Sequence, residues 1–258
     1  MLRKLKNLKG FTIRGNSEKL GKVEDFYFDQ YRLVVRYLVI DTGTLFLENL
    51  TLISPKAFEE INYETEEIFV NLTTEKLKEG PNIEKNKPVS RKTEEKLVNH
   101  FGWPLYWTEG AYTPRWTEVQ GESESVRRDK ISNNEEALAK QKQTESDLRS
   151  FNEITGYHIQ AKDDEFGHLE DLFFNEEDWV IRYLLVDTRN ILPGGKDVLI
   201  APEWLQNIDW NEEKIYVNKT KEEIKSAPEY EEGKTEDMIN RNYEEKLYNH
   251  YNETRYWQ

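Results

Sequence analysis

The sequence predicts a chain that is mainly β with short helices: two small antiparallel β-barrels in tandem, each followed by a helical tail. Three observations point there. The stretch from Leu8 to Thr42 returns as Ile154 to Thr188 at one constant offset and without a gap. Gly10, Ile13, Gly21, Glu24, Asp25, Phe28, Arg36, Tyr37, Leu38, Asp41 and Thr42 reappear as Gly156, Ile159, Gly167, Glu170, Asp171, Phe174, Arg182, Tyr183, Leu184, Asp187 and Thr188. A repeat of this length marks a duplicated domain, because solenoid units recur every 20–50 residues or so. Many short apolar runs also follow one another between turn signals, which favours a barrel or sandwich. Finally, Val34-Val35-Arg36-Tyr37-Leu38-Val39-Ile40 is apolar on both of its alternating faces, as a strand covered on both sides must be.

The elements follow in order. A strand is expected at Phe11–Arg14, then a turn at Gly15-Asn16-Ser17 and a second strand from Lys22 to Asp29. Asp29-Gln30-Tyr31-Arg32 is polar and short, as a hairpin loop should be. Leu33 to Asp41 forms the third strand, rich in Val, Ile and Tyr, and Thr44 to Ile53 the fourth. Ser54-Pro55 starts a brief helical turn, with Ser as cap and Pro at the first helical position. Strands near Glu60–Tyr63 and Glu67–Asn71 complete the set. The second copy runs Tyr157–Ala161, His168–Asn175, Trp179–Thr188, Asp197–Ile200, a turn at Pro202, Asn207–Trp210 and Lys214–Asn218.

A helical tail follows each copy. Glu94-Glu95-Lys96-Leu97-Val98-Asn99-His100-Phe101 matches Glu244-Glu245-Lys246-Leu247-Tyr248-Asn249-His250-Tyr251, and the tails close on Tyr106-Trp107 and Tyr256-Trp257. Exposed Trp pairs are unfavourable, so these four aromatics are expected to seal the barrels or to form an interface. The domains expected are residues 1–107, a polar linker over 108–150 and residues 151–258. Within the linker, Asn134 to Lys142 has good helix propensity but few apolar anchors, and a partner could order it.

The 258 residues carry a formal net charge of -14, so long-range attraction to nucleic acid or an anionic membrane is not expected. There is no Cys, hence no disulfide or thiol chemistry. The basic start, MLRKLKNLKGF, lacks the apolar run of a signal peptide, and no stretch approaches the ~20 apolar residues of a membrane span. A cytoplasmic protein is the expectation.

The opening Gly10–Ile13, the Gly21-x-x-Glu24-Asp25 pattern and the Val/Ile-rich third strand ending in Asp41 resemble the PRC-barrel family. That family includes the cytoplasmic domain of the photosynthetic reaction centre H subunit and the C-terminal domain of the ribosome maturation factor RimM. The tail Leu97-Val98-Asn99-His100-Phe101-Gly102-Trp103-Pro104-Leu105-Tyr106-Trp107 resembles the end of stand-alone bacterial members. The second copy departs at Asn252-Glu253-Thr254-Arg255, where the first has its Gly-Trp-Pro turn. The resemblance implies a small β-barrel that mediates protein contacts, and it brings no catalytic residues.

Among the charged residues, Asp25 and Arg36 stand out, with Asp171 and Arg182 as their repeats. If Asp29–Arg32 closes the hairpin symmetrically, position 25 faces 36, and each pair is a structural cross-strand ion pair. Glu24-Asp25 and Glu170-Asp171 cannot serve as acid and base about one bond, because neighbouring strand residues point to opposite faces. Asp163-Asp164-Glu165 and Glu231-Glu232 lack the ordered spacing of a Ca²⁺ loop. His100 and His250 sit at helix C-termini, where a cation meets the helix dipole favourably; His158 and His168 lie on neighbouring strands but make too few ligands for a metal. Arg3, Lys4, Lys6 and Lys9 form the one basic cluster, read as a solvated tail, with electrostatic docking to an acidic partner or to membrane lipid as the alternative that the overall charge disfavours. No catalytic, cofactor-binding or metal-binding residue is expected. The function expected is a non-catalytic protein-binding or scaffold protein with a protein partner, open to homo-oligomer formation. The alternatives are a ribosome-assembly factor contacting a basic ribosomal protein and an unrecognised hydrolase.

Overall fold

The computed structural model describes residues 1–16, 18–43, 49–83, 89–108, 147–189, 195–231 and 239–257. The chain opens with β1 (Leu2–Lys4) and a 3-10 turn at Lys6–Leu8. The first repeat supplies β2 (Thr12–Gly15), β3 (Glu18–Asp29), β4 (Val34–Asp41), β5 (Leu50–Ile53), β6 (Phe58–Asn62) and β7 (Glu67–Val70). Helix α1 (Thr74–Lys78), the short β8 (Asn82–Ile83) and helix α2 (Arg91–Phe101) follow. The second repeat begins with β9 (Leu148–Ser150) and the single turn α3 (Phe151–Ile154), then gives β10 (His158–Gln160), β11 (Glu165–Asn175) and β12 (Ile181–Asp187). It continues through β13 (Asp197–Ile200), β14 (Leu205–Asp209), β15 (Lys214–Val217), α4 (Lys221–Lys225) and α5 (Arg241–Tyr251). The helix expected within 134–142 lies outside the described residues.

The described residues form two compact units: 8–108 with 147–151, called here the first module, and 1–7 with 152–257, the second. The first seven residues thus belong with the repeat they do not precede. β1 pairs antiparallel with β11, matching Leu2 to Asn175, Arg3 to Phe174 and Lys4 to Phe173. β9 pairs with β3 in the same way, matching Leu148 to Asp29, Arg149 to Phe28 and Ser150 to Tyr27. Each module therefore takes one strand from the opposite repeat, at the same register.

In the first module the sheet runs β6-β7-β2-β3-β4-β5-β8, and in the second β13-β12-β11-β10-β15-β14. Two expectations need correction. No ladder among the described residues joins the ends of either sheet, so neither closes into a barrel. Nor are the sheets wholly antiparallel: β2 runs parallel to β7, and β10 to β15. The chain reaches that parallel neighbour by way of the 3-10 turn at Pro55–Ala57 or Pro202–Trp204. Ser54 caps the first of these turns, its Oγ accepting the Lys56 N–H at 3.3 Å.

The cores sit where the alternation placed them. Val35, Tyr37, Leu38, Val39 and Ile40 of β4 are all buried, so both faces of the strand are covered. Tyr183, Leu184, Leu185 and Val186 of β12 repeat this. Each fully buried Leu, Ile or Phe adds about 1.5–3 kcal/mol by leaving water. The shared Gly21 and Gly167 have a steric cause. A Cβ on Gly21 would stand 2.4 Å from the Asp41 carbonyl oxygen, and one on Gly167 2.5 Å from that of Asp187. The shared Asp-Thr pairs close the next turn: Thr42 Oγ1 donates to the Asn49 carbonyl at 3.0 Å, and Thr188 Oγ1 to that of Lys196 at 2.7 Å.

Candidate functional site

The residues shared by both repeats gather at two places in each module: behind the tail helix, and along the edge that receives the exchanged strand. Ser90 caps α2 and Asn240 caps α5, each side chain accepting a backbone N–H of the first turn. Beyond α2 the chain turns through Gly102 at φ 78, and beyond α5 through Asn252 at φ 51. Asn tolerates the left-handed conformation, so the second helix ends as the first does despite losing the Gly-Trp-Pro sequence.

These helices place a carboxylate inside each module. Glu94 is fully buried, with Arg91 Nη1 donating to its Oε1 at 2.9 Å and the Tyr106 hydroxyl to its Oε2 at 2.5 Å. Arg91 Nη2 also donates to Asp147 Oδ2 at 2.7 Å. The guanidinium of Arg91 lies 4.4 Å from the Trp107 ring, and that of Arg36 4.2 Å from the Tyr106 ring. In the second module Glu244 Oε1 accepts from Tyr183 at 2.8 Å and Tyr256 at 2.9 Å, while Arg241 meets Oε2 at 2.9 Å. Arg241 stacks 4.1 Å from the Trp257 ring, and Arg182 4.8 Å from that of Tyr256. Burial, then the neighbouring Glu244 charge, pushes the Tyr256 hydroxyl up to about 12, and burial with Glu94 likewise raises Tyr106 well above its ordinary value. These phenols stay protonated donors at neutral pH. The tail aromatics are half-buried against their own module.

The expected Asp25–Arg36 and Asp171–Arg182 pairs do not form. The hairpin turn takes in Leu33, at φ 52, and β3 is irregular between Tyr27 and Phe28, so Asp25 faces Val39. Arg36 instead holds Asp29 Oδ2 through Nη2 at 2.7 Å and Nε at 3.2 Å. Arg182 pairs with Asp178, four residues earlier in the chain. The aspartates serve the exchanged strands. Ser150 Oγ donates to Asp25 Oδ2 at 2.6 Å. Asp171 Oδ1 accepts the Lys6 N–H at 3.2 Å and the Leu172 N–H at 2.8 Å, while its buried Oδ2 has no hydrogen-bond partner. Burial pushes the Asp171 carboxyl up to about 6 against the pull of those N–H groups and of the Lys6 and Lys4 charges.

A third cluster was not anticipated. Glu170, Asp187 and Asp197 bring carboxylate oxygens within 4.8 Å of one another on three adjacent strands. Arg189 lies across them, 2.9 Å from Asp187, 2.7 Å from Asp197 and 3.7 Å from Glu170, so a side chain supplies the cation. Among the described residues the set is confined to the second repeat: Gly43 stands in the place of Arg189, and Leu50, the ladder partner of Asp41, in that of Asp197, the partner of Asp187. The acidic loop Asp163–Glu165 is likewise tied down. Asp163 accepts the Lys221 N–H at 2.8 Å, Asp164 pairs with Lys221 at 2.5 Å, and Glu165 meets His158 at 3.0 Å. Glu231 is exposed, and Glu232 lies outside the described residues. His158 does face His168 across the ladder. His100 Nε2 lies 2.8 Å from the Lys76 carbonyl, and His250 Nε2 2.8 Å from that of Glu223, so each ties its tail helix to the preceding short helix.

No helix among the described residues is long and apolar enough to cross a membrane. No curated protein matches the chain. Residues 2–77 match the family model of the PRC-barrel domain. The matched stretch begins at β1, the strand given over to the second module, and runs into α1. Over residues 2–77 the chain is similar to, and carries, a PRC-barrel domain.

Proposed function

We propose that the chain is a non-catalytic protein-binding scaffold of two PRC-barrel-type modules, the second repeat being a module of the same kind joined through the polar stretch that precedes Asp147. One observation carries the reading: both sheets are open, and each ends on the same strand of the repeat, β6 in the first module and β14 in the second. An edge strand is a ready template for a partner's strand. Glu59 and Glu60 on β6 and Gln206 and Asn207 on β14 are exposed. Polar and acidic edges resist self-association while accepting a basic extended segment, and the net charge of -14 draws such a partner in. The buried carboxylates favour scaffold over hydrolase, since Glu94 and Glu244 are each held by an Arg and Tyr of their own module. A basic ribosomal protein is one partner of the right chemistry, and co-sedimentation with ribosomes tests it.

The test is affinity capture with the full chain as bait, beside Glu59→Lys/Glu60→Lys and Gln206→Lys variants. The expected result is a basic partner bound by the unchanged chain, weakened by added salt, and lost from at least one edge variant whose circular dichroism is unaltered. A partner held equally by all three baits would overturn the edge reading.

A further inference from the structure

The exchanged strands have a property that neither the family nor the scaffold reading contains. β1 and β9 occupy equivalent positions before their repeats, and each completes the other repeat's sheet. The donors share a pattern, Leu2-Arg3-Lys4-Leu5 and Leu148-Arg149-Ser150-Phe151, with Leu2, Leu5, Leu148 and Phe151 buried in their seats. Backbone hydrogen bonding in such a ladder depends on the strand and its register, not on which molecule donates it.

The two seats differ in hold. β9 is anchored by the buried Arg91–Asp147 bridge, by Ser150 on Asp25 and by Phe151 packed edge-on against Phe26 at 5.9 Å. β1 has Met1 where β9 has Asp147, and Lys4 where β9 has Ser150. Its seat leaves Asp171 Oδ2 without a hydrogen-bond partner. What fits β1 to that seat is charge: Arg3 Nε donates to Glu176 Oε1 at 2.8 Å, and the position of Glu176 is held in the first repeat by the neutral Gln30, to which Arg149 donates at 3.2 Å. Within the basic cluster at the start of the chain, Arg3 is half-buried and Lys4 buried, while Lys6 and Lys9 are exposed. Arg3, Lys4 and Lys6 belong to a basic donor, and Glu176 and Asp171 to its acidic acceptor.

We propose that the β11 edge is a strand-exchange site for a second copy of this chain. The segment Leu2–Leu8 of one molecule seats on β11 of another and receives the same in return. The exchange is reciprocal and closes with two-fold symmetry, so no ladder bond or ion pair is lost, and protein concentration sets the dimer fraction. β9 stays on β3 of its own chain. The proposal goes beyond the scaffold reading and does not rest on it, because a chain that binds nothing else can still exchange strands.

The absence of cysteine makes the test direct. Full-length chains carrying Leu2→Cys and, with a different tag, Asn175→Cys are refolded together at low and high concentration and then oxidised. The expected product is a disulfide-linked heterodimer that grows with concentration. Glu177→Cys, two residues off the register, should not replace Asn175→Cys. Arg3→Glu in the donor should cut the yield, and Glu176→Arg in the acceptor should restore it. A Leu2→Cys/Asn175→Cys double variant reports the seat itself. If it oxidises wholly within one molecule while the mixed single variants give no heterodimer at any concentration, the exchange is confined to one chain and the proposal fails. If the double variant does not oxidise at all, the seat is not formed and the proposal fails as well.

Discussion

The two modules hold the same buried glutamate by different means. In the first, Arg91 is nearly buried, at 8% side-chain exposure, and joins Glu94 to Asp147. In the second, Arg241 is 52% exposed, and two tyrosines converge on Glu244. One residue makes the difference: the position of Asp147 ahead of β9 is held by Met1 ahead of β1. With a second carboxylate inside, the arginine is drawn in; without one, its place is nearer the surface, while a tail tyrosine donates to the acid in both modules. Duplicated folds thus keep the demand, a satisfied buried acid, and vary the supply.

The largest effect should come from removing the cation on which the first arrangement depends. Arg91→Ala takes a charge partner from two buried carboxylates, and breaking such a set costs about 3–5 kcal/mol. Arg241→Ala removes a half-exposed partner and should cost about 0–1 kcal/mol. Chemical denaturation of the two variants measures the gap. Equal losses would mean that Asp147 is not what separates the modules.

The seats of the exchanged strands should differ in pH dependence. The Asp171 carboxyl is pushed up to about 6 in the folded chain by burial, against ~3.9 unfolded. The folded state therefore binds the proton more tightly, and stability falls as pH rises from about 4 through about 6. Above that window the whole penalty applies, up to ~3 kcal/mol from a shift of about two units. Asp171→Asn should leave stability unchanged near pH 4 and raise it at pH 8 by about 1–3 kcal/mol. Thermal melts across that range read it, and a variant that loses stability at pH 8 would show that Lys4 and Lys6 stabilise the ionised form.

Much of this was legible in the sequence, and the failures have physical causes. Repeated glycines and alternating apolar runs placed the hairpins, because steric demands and burial act within a few residues. The register of β3 against β4 was misread because Leu33 enters the turn in a left-handed conformation that no Gly or Asn announces. The exchanged strands were missed because three residues without turn signals carry no period, and their partners lie far along the chain. Leu2-Arg3 and Leu148-Arg149 do share the offset of the repeat, which is the signal that could have found them. Glu94 was visible in principle: it sits one turn before Leu97 and Val98 and two before Phe101, a charged residue in line with an apolar stripe. Sheet closure was inferred from strand number alone, and that does not determine whether the last strands meet.

Where the modules face the same constraint, the comparison should vanish. Gly21→Ala and Gly167→Ala each drive a Cβ onto a backbone carbonyl, 2.4 Å and 2.5 Å away, and a carbonyl within a ladder cannot swing aside. Each should cost about 1–3 kcal/mol, by like amounts. A marked inequality in their melting shifts would mean that one strand pair yields more readily than the other.

The smallest effect belongs to the cluster only one module has. Arg189→Gly places in the second repeat the residue that the first has at Gly43. It removes the cation from Glu170, Asp187 and Asp197, but Arg189 is 55% exposed, so water already screens much of the attraction. The loss should stay below about 1 kcal/mol at low salt. It should shrink further in molar salt, where the screening length falls to about 3 Å. Asp187 keeps the Arg189 backbone N–H, at 2.7 Å, because that bond does not depend on the side chain. The turn should therefore survive and only the charge balance change. Melting curves at two salt concentrations separate these contributions: a loss independent of salt would mean that Arg189 holds the turn by its shape rather than its charge.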